Sequence, residues 1–167
     1  MTALEPPYSH FVSAAEGWLE LGNIDESWAE LERIEEAFRE HPTVLEVKWA
    51  ICAQTRDWPA ALKIAKRLVQ IAPESHFGWL HQAYALRRVS EGGLQSAWDF
   101  LLPVLRTFPK VPLIPYNLAC YACQMGNLER ARELLQRTLT VGDKQRIKQI
   151  AMGDDDLLPL RREIEKW

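Results

Sequence analysis

The feature that most constrains this chain is an interruption that recurs. Gly22-Asn23, Arg56-Asp57, Glu91-Gly92-Gly93 and Gly126-Asn127 each break an apolar pattern. Gly or Asn at such a place accommodates the left-handed residue that ends a helix. Pro42, Pro73, Pro109 and Pro112 form a second class of break. Between breaks the spacing is helical. Ile24, Trp28, Leu31 and Ile34 fall three or four apart, as do Leu62, Ala65, Leu68 and Val69, and again Leu128, Ala131, Leu134, Leu135 and Leu139. Almost no segment shows the two-residue alternation of a half-buried strand. Each stripe leaves a polar back, so each helix needs a neighbour over one face. The fold class is therefore all-α.

The spacing predicts helices near 7–21, 24–40, 43–55, 58–72, 76–89, 94–107, 113–125, 128–140, 143–151 and 156–166. Pro103 falls inside one of them, where it bends or weakens the helix. Units of two helices at 8–41, 42–75, 76–111 and 112–145 have lengths of 34, 34, 36 and 34 residues. Residue types recur within them. The eighth position reads Ala15, Trp49, Ala83 and Ala119. The twentieth reads Ser27, Ala61, Ala97 and Ala131, allowing two inserted residues in the third unit. The twenty-fourth reads Leu31, Ala65, Leu101 and Leu135, and the twenty-seventh Ile34, Leu68, Val104 and Thr138. Small residues at eight and twenty let the helices of a hairpin approach closely. Bulkier residues at the others fill the gap to the next hairpin. No unit buries its own stripe, so the units must stack.

A period of this length with two helices per unit resembles the tetratricopeptide-repeat (TPR) family. The resemblance covers 8–145. It is strongest in Tyr116-Asn-Leu-Ala-Cys-Tyr-Ala-Cys-Gln-Met-Gly-Asn-Leu-Glu-Arg-Ala131 and in Arg56-Asp-Trp-Pro-Ala-Ala-Leu62. The sequence departs from the family pattern at Trp49, where a small residue is expected, and at Lys48 and Gln82, which replace an apolar seventh residue. The stretch Gly153-Asp-Asp-Asp-Leu-Leu-Pro-Leu160 is similar to the tail of small bacterial repeat proteins without an assigned activity. The resemblance implies an α–α superhelix, here one domain over 1–167. Leu157, Leu160, Ile164 and Trp167 share a helical face, which suits residues 146–167 to capping the exposed end of the stack.

The resemblance also implies where a partner would lie. In this family the first helix of each unit lines a concave surface, through positions two, five, nine, twelve and thirteen. Unit two then offers Thr43, Glu46, Ala50, Ala53 and Gln54, unit three Phe77, Leu80, Tyr84, Arg87 and Arg88, and unit four Leu113, Tyr116, Cys120, Cys123 and Gln124. Aromatic and Arg side chains are enriched at binding hot spots. The expected partner-binding residues are Phe77, Leu80, Tyr84, Arg87, Arg88, Tyr116, Cys120 and Gln124. The rings would supply apolar contacts, and the guanidinium groups would fork onto an acidic group. The competing reading is that the rings simply pack beneath a neighbouring helix. A family variant that clamps a C-terminal carboxylate needs Lys and Asn where this chain has Leu80 and Tyr84, so that clamp is not expected although Asn117 matches one of its positions.

The expected function is protein or peptide binding, as an adaptor, assembly factor or chaperone-like holder. The second reading is self-association through an end of the stack or through an aromatic such as Trp28 or Trp98. A third is a thiol or metal protein using Cys120-Tyr-Ala-Cys123. Cysteines three apart share a helical face, but a zinc site needs two further ligands, and His10, His41, His76 and His81 are scattered. No phosphate loop, GxSxG elbow or HExxH occurs. No acid–base pair stands out among the carboxylates. No enzyme activity, metal or cofactor is expected. Asp154-Asp155-Asp156, just ahead of an apolar run, reads as a helix cap.

Charge and composition narrow the partners. With 20 basic and 23 acidic residues and a formal net charge of -3, the chain lacks the basic stripe of a nucleic-acid binder. No apolar run is long enough for a membrane span. MTALEPPYSH has neither a basic start nor an apolar core, so a secretory signal is not expected. Three cysteines, an odd count, fit reduced thiols and a cytoplasmic location.

Overall fold

The computed structural model describes residues 3–167, and among them every regular element is helical. Met1 and Thr2, part of the stretch read for a secretory signal, lie outside the described residues. The chain divides into two compact units, Met1–Ala85 and Leu86–Trp167. The first holds α1 (Tyr8–Glu20), α2 (Ile24–Glu32), α3 (Pro42–Gln54), α4 (Trp58–Ile71) and nearly all of α5 (His76–Leu86). The second holds α6 (Leu94–Leu101), α7 (Val104–Thr107), α8 (Leu113–Gln124), α9 (Leu128–Val141), α10 (Lys144–Met152), a 3-10 stretch Asp155–Leu160 and α11 (Arg161–Ile164). None of the described helices is long and apolar enough to cross a membrane.

The hairpins form where small residues allow it. Ala15, Ser27, Ala61, Ala83, Ala97, Ala119 and Ala131 are all fully buried. In the first hairpin α1 and α2 come close enough for the Ser27 hydroxyl to donate to the Ala15 carbonyl at 2.8 Å, which satisfies a buried polar group. Gly78 serves α5 in the same way. A Cβ there would stand 3.0 Å from Leu68 Cβ and from the Val69 nitrogen. Around the first hairpin a core of Val12, Leu31, Ile34, Val44, Val47 and Ile51 closes.

The helix starts explain the period. Asn23 accepts from the Glu26 amide at 3.4 Å, Asp57 from Ala60 at 3.1 Å and Asn127 from Arg130 at 3.1 Å, each side chain satisfying an orphan amide of the first turn. The fourth N-cap is Gly93. These positions lie 57 − 23 = 34, 93 − 57 = 36 and 127 − 93 = 34 residues apart. Ahead of three of them the backbone turns left-handed, with φ of 78° at Gly22, 60° at Arg56 and 81° at Gly126. The two-residue insertion is absorbed at Gly92, where a Cβ would fall 1.8 Å from the Leu86 carbonyl oxygen.

Four helices depart from the expected bounds, the one expected over 76–89 by ending at Leu86. The helix expected over 24–40 stops at Glu32 and is followed by a 3-10 turn at Glu36–Phe38. The cause is Arg39, which donates from Nε to the Ile34 carbonyl at 2.8 Å and from Nη2 to that of Glu32 at 3.1 Å, taking over carbonyls that end the helix. The helix expected over 94–107 is divided at Pro103. The one expected over 156–166 begins as 3-10 over Asp155–Leu160, with Pro159 inside it, and is α-helical only over Arg161–Ile164.

Candidate partner-binding surfaces

In the first unit α1 and α3 pack side by side, and the face they share is open. It forms a recess of about 380 Å3 whose floor is Leu19, Val47 and Ala50 and whose walls are Glu16, Glu20 and Glu46. Glu46 and Ala50 are two of the positions expected to face a partner. Glu16, Leu19 and Glu20 hold positions nine, twelve and thirteen of the first repeat, so the same rule applied one unit earlier would have found them. Burial, and then the nearby charge of Glu16, push the Glu46 carboxyl above the usual range. A cation brought into the recess would relieve that repulsion.

The aromatic positions of α5 are used differently from one another. Phe77 is 44% exposed, whereas Leu80 is buried. Tyr84 sits between two indoles, its ring centroid 5.9 Å from that of Trp49 and 5.8 Å from that of Trp58. The departure at Trp49 has a physical reason in this cluster. Its indole stacks on His81 at 3.7 Å and 13°, so the bulk that a hairpin contact would reject is received by α5. Burial, helped by the charge of His76, drives His81 down to about 4, so it stacks as a neutral ring.

In the second unit the expected residues converge, and what they meet is the chain itself. Arg87 forks onto Asp156, Nη1 to Oδ2 at 2.5 Å and Nη2 to Oδ1 at 3.1 Å. On α8, Tyr116, Cys120 and Gln124 are spaced by four and so share a face. The Tyr116 hydroxyl donates to Asp154 Oδ2 at 2.8 Å, the Cys120 thiol to the same oxygen at 3.5 Å, and the Gln124 amide to the Asp156 carbonyl at 3.0 Å. Asp154 also accepts the Asp156 amide at 3.0 Å, which is the cap read from the acidic run. The acidic group that Arg87 was expected to recognise is thus already supplied by residues 154–156. Arg88 is half-buried.

This segment is fastened by more than polar contacts. Leu157, Leu160 and Ile164 are fully buried, each contributing about 1.5–3 kcal/mol by the usual measure of side-chain burial. Arg132 on α9 grips Glu163 through two bonds of 2.8 Å. These residues cover the inner positions of α8.

Cys120, Asp154 and Asp156 bring three possible ligand atoms within 4.8 Å of one another. They do not fit a metal ion. Asp156 is neutralised by Arg87, Asp154 is bound by Tyr116, and burial and the two carboxylates push the Cys120 thiol far up. Cys123 is a buried free thiol, pushed up by burial and Asp156.

Hairpins of antiparallel helices with small residues at their crossings and caps repeating every 34 to 36 residues define the TPR fold. Solved structures bear this out. The chain is similar to a thermophilic TPR protein of Thermus thermophilus, with a TM-score of 0.72 and 19% identity over 94% of this chain and 82% of that one. It is also similar to MamA, with a TM-score of 0.64 and 16% identity over 99% of this chain and 91% of that one. No protein-family model matches the sequence, and no curated protein matches it. The chain has the fold of a TPR α–α superhelix.

Proposed function

We propose that this chain is a protein-interaction module that holds a segment of a partner against the first helices of its repeats. The observation that carries the reading is the open recess on α1 and α3, which falls on the positions the family uses for its partners. It combines an apolar floor with three glutamates and no basic lining residue. The partner segment it suits is cationic with small apolar side chains. Phe77, exposed on α5, is the other apolar contact of the expected set that offers free surface in this unit. The role is non-catalytic and rests on capture alone.

The test uses the full chain as immobilised bait in a cell extract, with captured proteins identified by mass spectrometry. A variant carrying Glu16→Gln, Glu20→Gln and Glu46→Gln keeps the shape of the recess and removes its charge. The expected result is that the wild-type chain retains a defined set of basic partners and the variant releases them. Retention of the same set by both would overturn the reading.

A further inference from the structure

A second groove lies elsewhere on the first unit, between α2 and α4, with α3 at its floor. It has a volume of about 630 Å3, within the range of ligand-binding clefts. Trp28 from α2, Leu45 and Cys52 from α3, and Ile64 from α4 make its apolar surface. Leu45 and Cys52 are buried, while Trp28 and Ile64 are only partly covered. The TPR resemblance assigns nothing here, because none of these residues holds position two, five, nine, twelve or thirteen of its repeat.

The rim is basic: Lys48, Lys63, Lys66 and Arg67 against Glu40 and Asp57. Both acids have a partner, but only Glu40 is paired with a cation, and the Asp57 charge stays in place. Glu40 pairs with Arg67, whose Nε donates to its Oε2 at 2.6 Å, and Asp57 caps α4 through the Ala60 amide at 3.1 Å. Lys48 donates to a carbonyl, that of Arg39, at 3.2 Å, and the only carboxylate acting on it is Glu40, which is shared with Arg67. Burial, with Arg39 nearby, pulls Lys48 below the ordinary lysine range. Lys63 and Lys66 are exposed and have no ion-pair partner among the described residues. The rim therefore carries four cations against two carboxylates around an apolar floor, an excess of positive charge in a chain whose overall charge is negative.

We infer that this groove is a docking site for an acidic protein segment bearing large apolar side chains, which enter between Trp28 and Ile64 while its carboxylates meet Lys48, Lys63 and Lys66. Charge complementarity selects this occupant. The inference is independent of the α1–α3 recess, which has the opposite charge.

The experiment titrates the full chain with a fluorescein-labelled amphipathic peptide of about 16 residues made of Glu, Leu and Phe, read by anisotropy and by 15N–1H spectra. Saturable binding is expected, with shifts at the Trp28 indole N–H and at the amides of Lys63 and Ile64. Lys63→Glu with Lys66→Glu, both at exposed positions, is expected to weaken binding about tenfold or more, and a peptide with Lys in place of Glu is expected not to bind. Lack of saturation, shifts confined to other helices, or equal affinity in the charge-reversed variant would overturn the inference. So would equal binding of an oligonucleotide of matched charge, or light scattering that shows a dimer dissolved by the same two substitutions, since a second copy would then be the occupant.

Discussion

Arg87 and Asp156 stand 69 residues apart in sequence and are joined by two parallel hydrogen bonds. Burial alone would lower the guanidinium, but the bonds to Asp156 and its charge raise it instead. Arg87→Ala leaves the Asp156 carboxylate without its charged partner in a largely covered place. The expected loss is about 2 kcal/mol in urea unfolding. A double-mutant cycle with Asp156→Asn should give a clear coupling energy. Additive single effects would mean that the pair contributes nothing of its own.

His81 makes stability depend on pH. Its folded-state value of about 4 lies below the ordinary 6.5, so between those limits the unfolded chain binds the extra proton. Stability is full above about pH 6.5 and falls as pH drops towards 4, below which this contribution is flat. The total is on the order of 3 kcal/mol. His81→Phe keeps a flat ring for Trp49 to stack on and should remove that slope, as seen by comparing melting curves across pH 4–7.

Arg56 holds the left-handed position that Gly22 and Gly126 hold in their repeats, with φ of 60°. An L-residue with a Cβ is costly there and glycine is not. Arg56→Gly is expected to stabilise the chain by about 1 kcal/mol, raising the thermal midpoint without changing the helical circular dichroism. A lower midpoint would show that the Arg56 side chain contributes more than its backbone costs.

The thiols should be slow. Burial raises Cys52, Cys120 and Cys123, and Asp154 and Asp156 add to the effect at Cys120. Thiolate is the reactive form, so the native protein at pH 8 is expected to react with a thiol reagent far more slowly than the denatured chain. Fast labelling of Cys120 in the native state would contradict the geometry described for it.

What could be read from the sequence was local or periodic. The small residues Ala15, Ser27, Ala61 and Ala131 mark hairpin crossings because a helix pair cannot approach without them. Gly22-Asn23, Arg56-Asp57 and Gly126-Asn127 were legible as breaks between helices, and the structure adds that Asn23, Asp57 and Asn127 cap the helix that follows. The end of α2 was not legible, since it depends on Arg39 folding back over Glu32 and Ile34. The fate of Arg87 was hidden for a similar reason. An arginine at a groove position and an acidic run near the C-terminus are each legible, but only the path of the chain brings them together. The glutamates of the open recess did not stand out in sequence, because a lone carboxylate on a helix has the same appearance as a solvated face, although Glu46 was among the expected positions.

The seating of Asp154 and Asp156 against Tyr116, Cys120 and Arg87 has a consequence for how the polypeptide matures. Ribosomes add residues from the N-terminus onward, so α8 is made well before the carboxylates that satisfy it. Until Leu157, Leu160 and Ile164 have also emerged, its inner face stays uncovered and adhesive. The α1–α2 hairpin, whose Ser27–Ala15 bond spans only a dozen residues, waits only for Val44, Val47 and Ile51 of the next helix. The two halves of the molecule therefore differ in how long they remain vulnerable during synthesis.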